Sequence, residues 1–206
     1  MVIVEGVWGF LRLMQESDAQ DIVNWRNREE VARWLVQWEP LTVEAHLAWF
    51  KKSQEQGDLS FIYTDAKTEQ PLGSGALYNI DREERSAEWG RVCFKEGMNP
   101  FGILEASFLI HCVAFELLDM KRLFCACAQA NESAVRLNTF LGYQEIGICP
   151  LALKTPHGSY DLIDFEMLPE HFAKQKEDIE QSLYKGRSIP QFLTAHDDLK
   201  DSLILK

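Results

Sequence analysis

The stretch from Ala87 to Gly147 constrains the fold most, because it reads as strand, turn, helix, strand and helix without a break. Residues 87–94 (AEWGRVCF) have the β-branched and aromatic content of a strand, and residues 95–100 (KEGMNP) are turn-formers. Residues 101–118 (FGILEASFLIHCVAFELL) are apolar on nearly every face, which predicts a buried helix. Asn99 suits its N-cap and Pro100 its first position. Residues 122–128 (RLFCACA) are short and apolar, as a central strand is, and residues 131–143 read as a capped helix ending at Gly142. A strand, a turn opening a buried helix and a return strand make one crossover unit. Such a unit presents backbone N–H groups at the helix start, where anions bind well.

The flanking chain supplies further elements. Residues 10–14 alternate as a half-buried strand does, and Ser17 with Gln20 is a capping-box pattern that starts a helix near Asp18 and carries it to about Arg28. A second helical piece is expected over 31–38, and Thr42 caps a third over 43–54. Strands over 59–64 and 72–80 join 87–94 in an antiparallel meander, and 145–154 with 159–168 form a hairpin about TPHG. The expected fold is α/β, a mixed, mostly antiparallel central sheet of about seven strands with helices on both faces. From Pro169 the chain turns polar and helical, so the expected domain is 8–168, with 169–206 as a C-terminal extension of unassigned role. Phe192, Leu193, Leu199, Leu203, Ile204 and Leu205 are too apolar for a free tail and are expected to pack.

The early helices carry Trp25, Arg26, Arg28, Arg33, Trp34, Trp38, His46 and Trp49, with Trp34 and Trp38 on one helix face. The plain reading is packing tryptophans and solvated arginines. The sharper one is a substrate pocket with an aromatic wall, for which Arg26 and Asn27 are the candidates.

Charge and cysteine usage narrow the partners. The 206 residues suit one domain, and the net charge of −11 with a pI near 4.9 argues against a nucleic-acid binder and an anionic membrane surface. An amine substrate is compatible with that sign. The five cysteines form no C-x-x-C pair and sit mostly in apolar runs, which reads as reduced thiols in a cytoplasmic protein without a metal site. No secretory leader is visible, and Lys95, Asp119, Lys121 and Arg122 bound the apolar helix, so no membrane span is expected.

Taken together, AEWGRVCF, GMNPFG and LFCACAQANESAVRLNTFLGYQEIG resemble the core of the GNAT N-acetyltransferase superfamily, with LRLMQESDAQDIVNWRN before it and HGSYDLIDFEML after it fitting the flanks. The NWRN and EAHLAWF segments are similar to the branch of ribosomal-protein acetyltransferases and pseudaminic-acid-pathway sugar acetyltransferases. The resemblance implies acetyl-CoA as acyl donor and no metal. The acceptor it implies is a small-molecule amine, an aminated sugar nucleotide, or a protein N-terminus, and a homodimer is possible. The coenzyme's pyrophosphate is expected on Gly97, Asn99, Phe101, Gly102 and Ile103. The pantetheine arm is expected along Val92 and Phe94, with the Val92 N–H as oxyanion donor, and Asn131 as a further coenzyme contact. Glu88 takes the position where the family often has its base. Arg26 and Asn27 fall on the acceptor side. Two positions depart from the family pattern. Pro100 stands where a glycine is expected and has no N–H to donate, and Asn138 stands where an acid tyrosine is usual. These departures leave open a degenerate binding domain without catalysis. Within the apolar helix, His111 reads as a satisfied core residue, and Tyr143 as core.

Overall fold

The computed structural model describes residues 2–36, 39–185 and the backbone of 191–192. Trp38 and the apolar tail from Leu193 onward lie outside them. The described strands are β1 (Val2–Glu5), β2 (Gly9–Leu13), β3 (Leu59–Asp65), β4 (Pro71–Asp81), β5 (Ser86–Phe94), β6 (Arg122–Ala128), β7 (Gln144–Thr155), β8 (Gly158–Met167) and β9 (Gln191–Phe192). The helices are α1 (Ala19–Arg26), α2 (Glu29–Ala32), α3 (Val43–Glu55), α4 (Pro100–Cys112), α5 (Glu132–Leu141) and α6 (Pro169–Tyr184).

One sheet runs β7-β8-β6-β5-β4-β3-β2-β1-β9. Every neighbouring pair is antiparallel except β5 and β6, which are parallel across the α4 crossover. The expected seven strands are all present. The two additional ones, β1 and β9, extend the β2 edge. Strand β3 is buried at Leu59 through Thr64, because helices cover both faces of the sheet. On one face α4, α5 and α6 pack over the main core, which includes Phe61, Leu77, Trp89, Phe108 and Leu123. On the other, α1 and α3 close over Met14, Ile22, Trp25, Phe50, Ile62 and Cys93. Helix α6 feeds Phe172, Ile179, Leu183 and Tyr184 into the main core rather than standing apart.

The helix starts differ in detail from the sequence pattern. Ser17 and Gln20 do not form the capping box. Asp18 accepts from the Gln15 N–H at 2.8 Å instead, while Gln20 bonds Asn24. A 3₁₀ turn at Glu16–Asp18 then leads into α1, which ends at Arg26. Thr42 Oγ1 accepts from the Ala45 N–H and starts α3 as expected. Helix α5 ends where Gly142 takes φ 106°, a conformation that costs other residues.

Helix α4 continues as a π-helical turn, Val113–Leu117. The stretch Pro100–Leu117 has a mean hydropathy of 1.4 and is long enough to cross a membrane, so the expectation that no segment qualifies was too strict. In this fold 72% of that stretch is buried as the core helix.

His111, inside α4, is fully buried and bonded at both ring nitrogens. Nδ1 donates to the Ser107 carbonyl at 2.7 Å, and Nε2 accepts from the Tyr143 hydroxyl at 3.1 Å. Burial pushes its pKa from 6.5 down to about 4. The unfolded chain therefore takes up this proton first as pH falls. Stability is expected to drop through the window from pH 6.5 to 4, by about 3 kcal/mol at its lower end. Denaturant unfolding at several pH values checks this: a His111→Phe variant should lose that part of the slope.

Candidate active site

Strands β5 and β6 pair only from Ser86–Arg122 to Glu88–Phe124. Beyond that point the register ends, and the two strands separate. The facing edges of Trp89–Phe94 and Cys125–Ala128 are left without each other's hydrogen bonds. A slot with unpaired backbone donors and acceptors on its walls takes an extended, amide-bearing chain as an added strand would be taken. Within β5, Ser74 opposes Cys93 and Ala76 opposes Gly90, so Arg91 and Val92 together face Gly75. This bulge, with Arg91 at φ 55°, frees Val92 from a register partner on β4. Val92 and Phe94 belong to the part of β5 beyond its last pair with β6.

At the mouth of the slot lies the start of α4. Asn99 is its N-cap and spends its side chain on the Phe101 N–H at 2.9 Å, while its carbonyl receives the Ile103 N–H. Pro100 offers no donor. Among the described residues, the Gly97, Asn99 and Gly102 N–H groups have no protein acceptor. Phe101 and Ile103 therefore contribute position rather than hydrogen bonds to an anion there. This corrects the expectation that all five cradle residues donate. The remaining donors and the helix's positive end still fit a pyrophosphate. Phe101 is 52% exposed beside Trp8, ring centroids 6.1 Å apart.

Cross-strand pairing puts Tyr78 and Glu88 on the sheet face that carries α1 and α3. Glu88 occupies the last paired position before the strands part. Its Oε1 accepts from Asn79 Nδ2 at 2.8 Å, and Tyr78 lies directly opposite it on β4. Burial, then the neighbouring carboxylate, raises the Tyr78 pKa. The Arg91 guanidinium lies over the Tyr78 ring at 4.0 Å and the Trp49 ring at 5.0 Å, and pairs with Asp58 at 2.7 Å. Farther along this face, Arg26, His46, Trp49, Ser60, Ser74 and Arg91 enclose a small pocket. Trp34 reaches Tyr160 of β8 edge-on at 5.3 Å.

The other candidates are placed as follows. Asn27 bonds both the N–H and the carbonyl of Leu41 at 2.8 Å, so its amide holds the loop before α3. Asn131 caps α5 through Ala134. Asn138 is buried, accepting from the Trp89 indole at 3.3 Å. Tyr78, Arg91 and Asp58 were not singled out from the sequence, where each is an ordinary strand or turn residue. Glu105 was missed as well. It is 0% exposed and accepts from the N–H groups of Val7, Trp8 and Gly9 and from the Tyr63 hydroxyl at 2.5 Å. Among the described residues no group of His, Cys, Asp and Glu is arranged to hold a metal ion.

A mostly antiparallel sheet, splayed at its parallel pair and bulged beside the splay, with a helix start at the mouth, defines an acyl-coenzyme A transferase scaffold. The chain belongs to the GNAT acetyltransferase family, whose domain matches residues 10–144. The fold is similar to that of the ribosomal-protein-S5-alanine acetyltransferase from Vibrio fischeri, at TM-score 0.70 and 20% identity over 82% of this chain and 98% of that one. It is also similar to the spermidine N-acetyltransferase from Vibrio cholerae in complex with CoA and spermine, at TM-score 0.70 and 19% identity over 79% and 96%. A third similar structure is apo FdhC, a nucleotide-linked sugar GNAT, at TM-score 0.69 and 17% identity over 87% and 96%. No curated protein matches the sequence significantly. Acetyl transfer from acetyl-CoA is the family's chemistry.

Proposed function

We propose that this protein moves acetyl from acetyl-CoA to a primary amine in the cytoplasm, by direct attack in a ternary complex. The acceptor is the amine of an aminated sugar nucleotide or a protein N-terminus. The observation that carries this reading is the parting of β5 and β6 at Glu88, with the bulge at Arg91 beside it. The pantetheine arm enters the slot and bonds the free edge near Val92 and Phe94. The Val92 N–H is aimed at the thioester oxygen and stabilises the charge that develops there. Glu88 accepts the proton of the attacking amine from the opposite face. Gly97, Asn99 and Gly102 hold the pyrophosphate, and Asn131 sits at the start of the next helix to meet the coenzyme. With Asn138 in place of a tyrosine, the thiolate leaves as an anion and is protonated by water, since a thiol's ordinary pKa is near 8.5.

Calorimetric titration with acetyl-CoA tests the coenzyme site. The wild-type protein is expected to bind in the micromolar range, and Gly102→Asp to lose binding. An added Cβ at Gly102 comes closest to the flexible end of Met98, at 3.0 Å, with the Tyr63 ring next at 4.0 Å, so the fold should tolerate it. The aspartate's charge would lie among the free N–H groups and repel phosphate. Absence of wild-type binding at millimolar coenzyme would favour the non-catalytic binding domain instead.

A further inference from the structure

The pocket between α1, α3 and the sheet has a charge imbalance. Arg12 forks onto Asp18, with contacts at 2.6 and 2.8 Å, and Arg91 pairs with Asp58, while Arg28 Nε lies 3.1 Å from Glu30 without hydrogen-bonding it. Arg26, at the end of α1, lines the pocket and has no hydrogen bond or ion pair among the described residues. Beside it His46 is only 2% exposed, and neither ring nitrogen has a hydrogen-bond partner. Burial, and next the charge of Arg26, lower the His46 pKa, so the ring is neutral and keeps one N–H to give. Burial lowers the Arg26 pKa, the mark of a partly desolvated cation, and the unbonded, buried His46 ring N–H carries its own cost. Both costs are offset if an anionic oxygen enters between them. The enclosed space is about 10 Å³, room for one oxygen atom. Arg91 belongs to this pocket and also lies over Tyr78, whose cross-strand neighbour is Glu88. The pocket is therefore continuous with the surroundings of the proposed base.

We infer that Arg26, with His46, is a binding site for one anionic oxygen of the acceptor, a carboxylate or phosphate on the amine-bearing molecule. The inference rests on reading this face as the acceptor side, and it deepens that reading. It excludes a simple polyamine, which would bring further positive charge to a surplus guanidinium. The local sign is opposite to the overall charge of −11, so it comes from placement and not from composition. One carboxylate or phosphate oxygen fills the pocket. The rest of the molecule lies along Trp49 and Arg91 toward Glu88.

The test is a nuclear magnetic resonance titration of the whole chain without coenzyme, so that its outcome does not depend on acetyl-CoA binding. The Arg26 Nε–Hε signal, assigned by its loss in Arg26→Gln, and the His46 ring signals are followed while sodium acetate or sodium phosphate is added at constant ionic strength. Saturable movement of both residues is expected with a dissociation constant on the order of millimolar. In Arg26→Gln the His46 response should weaken at least about tenfold. Response to phosphate alone assigns a phosphate, response to acetate alone a carboxylate, and response to both an oxyanion site that takes either. The inference is overturned if neither anion moves the Arg26 signal, or if phosphate moves only the amides of Gly102 and its neighbours at the α4 start. Failure of acetyl-CoA to bind in calorimetry would defeat the transferase reading while leaving this result standing.

Discussion

Glu88→Gln is expected to lower kcat by about 10²–10⁴-fold, the usual contribution of a positioned base, while leaving acetyl-CoA affinity unchanged. The reason is positional. Glu88 is the last residue of β5 that still pairs with β6, so its backbone is held on both sides while its side chain stands where the slot opens. The glutamine keeps the size of the side chain and can still accept from Asn79, but its amide cannot take a proton from an amine. The coenzyme donors are at the start of α4 and along the far part of β5, away from this substitution. The measurement is free-thiol release from acetyl-CoA with an acceptor found by amine screening, alongside calorimetry of coenzyme binding. Unchanged kcat would remove Glu88 from the mechanism and leave proton removal to water.

Glu105→Ala is expected to destabilise the fold by about 3–5 kcal/mol, the scale for removing a buried charged partner. For a domain of this size that lowers Tm by roughly 10 °C. The carboxylate accepts from three consecutive backbone N–H groups of the β1–β2 turn and from Tyr63. Cutting the side chain back leaves the Gly9 N–H and the Tyr63 hydroxyl, both buried, without their acceptor. The same carboxylate touches where a Cβ on Gly6 would stand, so the turn is folded closely around it. Burial, and next the charge of Glu105, raise the pKa of Tyr63, which keeps the phenol a donor. Glu105 lies one turn beyond Gly102, so the substitution should also loosen the coenzyme cradle and weaken acetyl-CoA binding. Urea unfolding monitored by tryptophan fluorescence checks the first effect. A loss under about 1 kcal/mol would mean that the turn repacks and satisfies its own donors.

Much of the scaffold was legible because its signals are local. Alternation in residues 10–14, the meander ending at Phe94, the apolar α4 and the glycine after α5 each report the conformation of a few adjacent residues. The crossover that defines the family follows from their order. Strands β1 and β9 were not legible, since four and two residues carry too little periodicity and form only by pairing with an existing edge. Glu105 reads as a lone acid in an apolar helix, and nothing near it in sequence announces donors 96 to 98 residues earlier.

The candidate site divides in the same way. Glu88 and Val92 could be named as candidates only through the family resemblance, whereas the α4 start was legible from its cap and turn residues. The sequence by itself determined most of the element types and the crossover. Only the tertiary structure decided that β5 and β6 part after Glu88, that Asn99 uses up the Phe101 and Ile103 donors, that Asn27 clamps Leu41, and that Arg26 shares a pocket with His46 while the nearby Asp18 is taken by Arg12. Propensity and periodicity act between neighbours along the chain. Charge balance and hydrogen-bond satisfaction are settled by whatever distant segments the packing brings together.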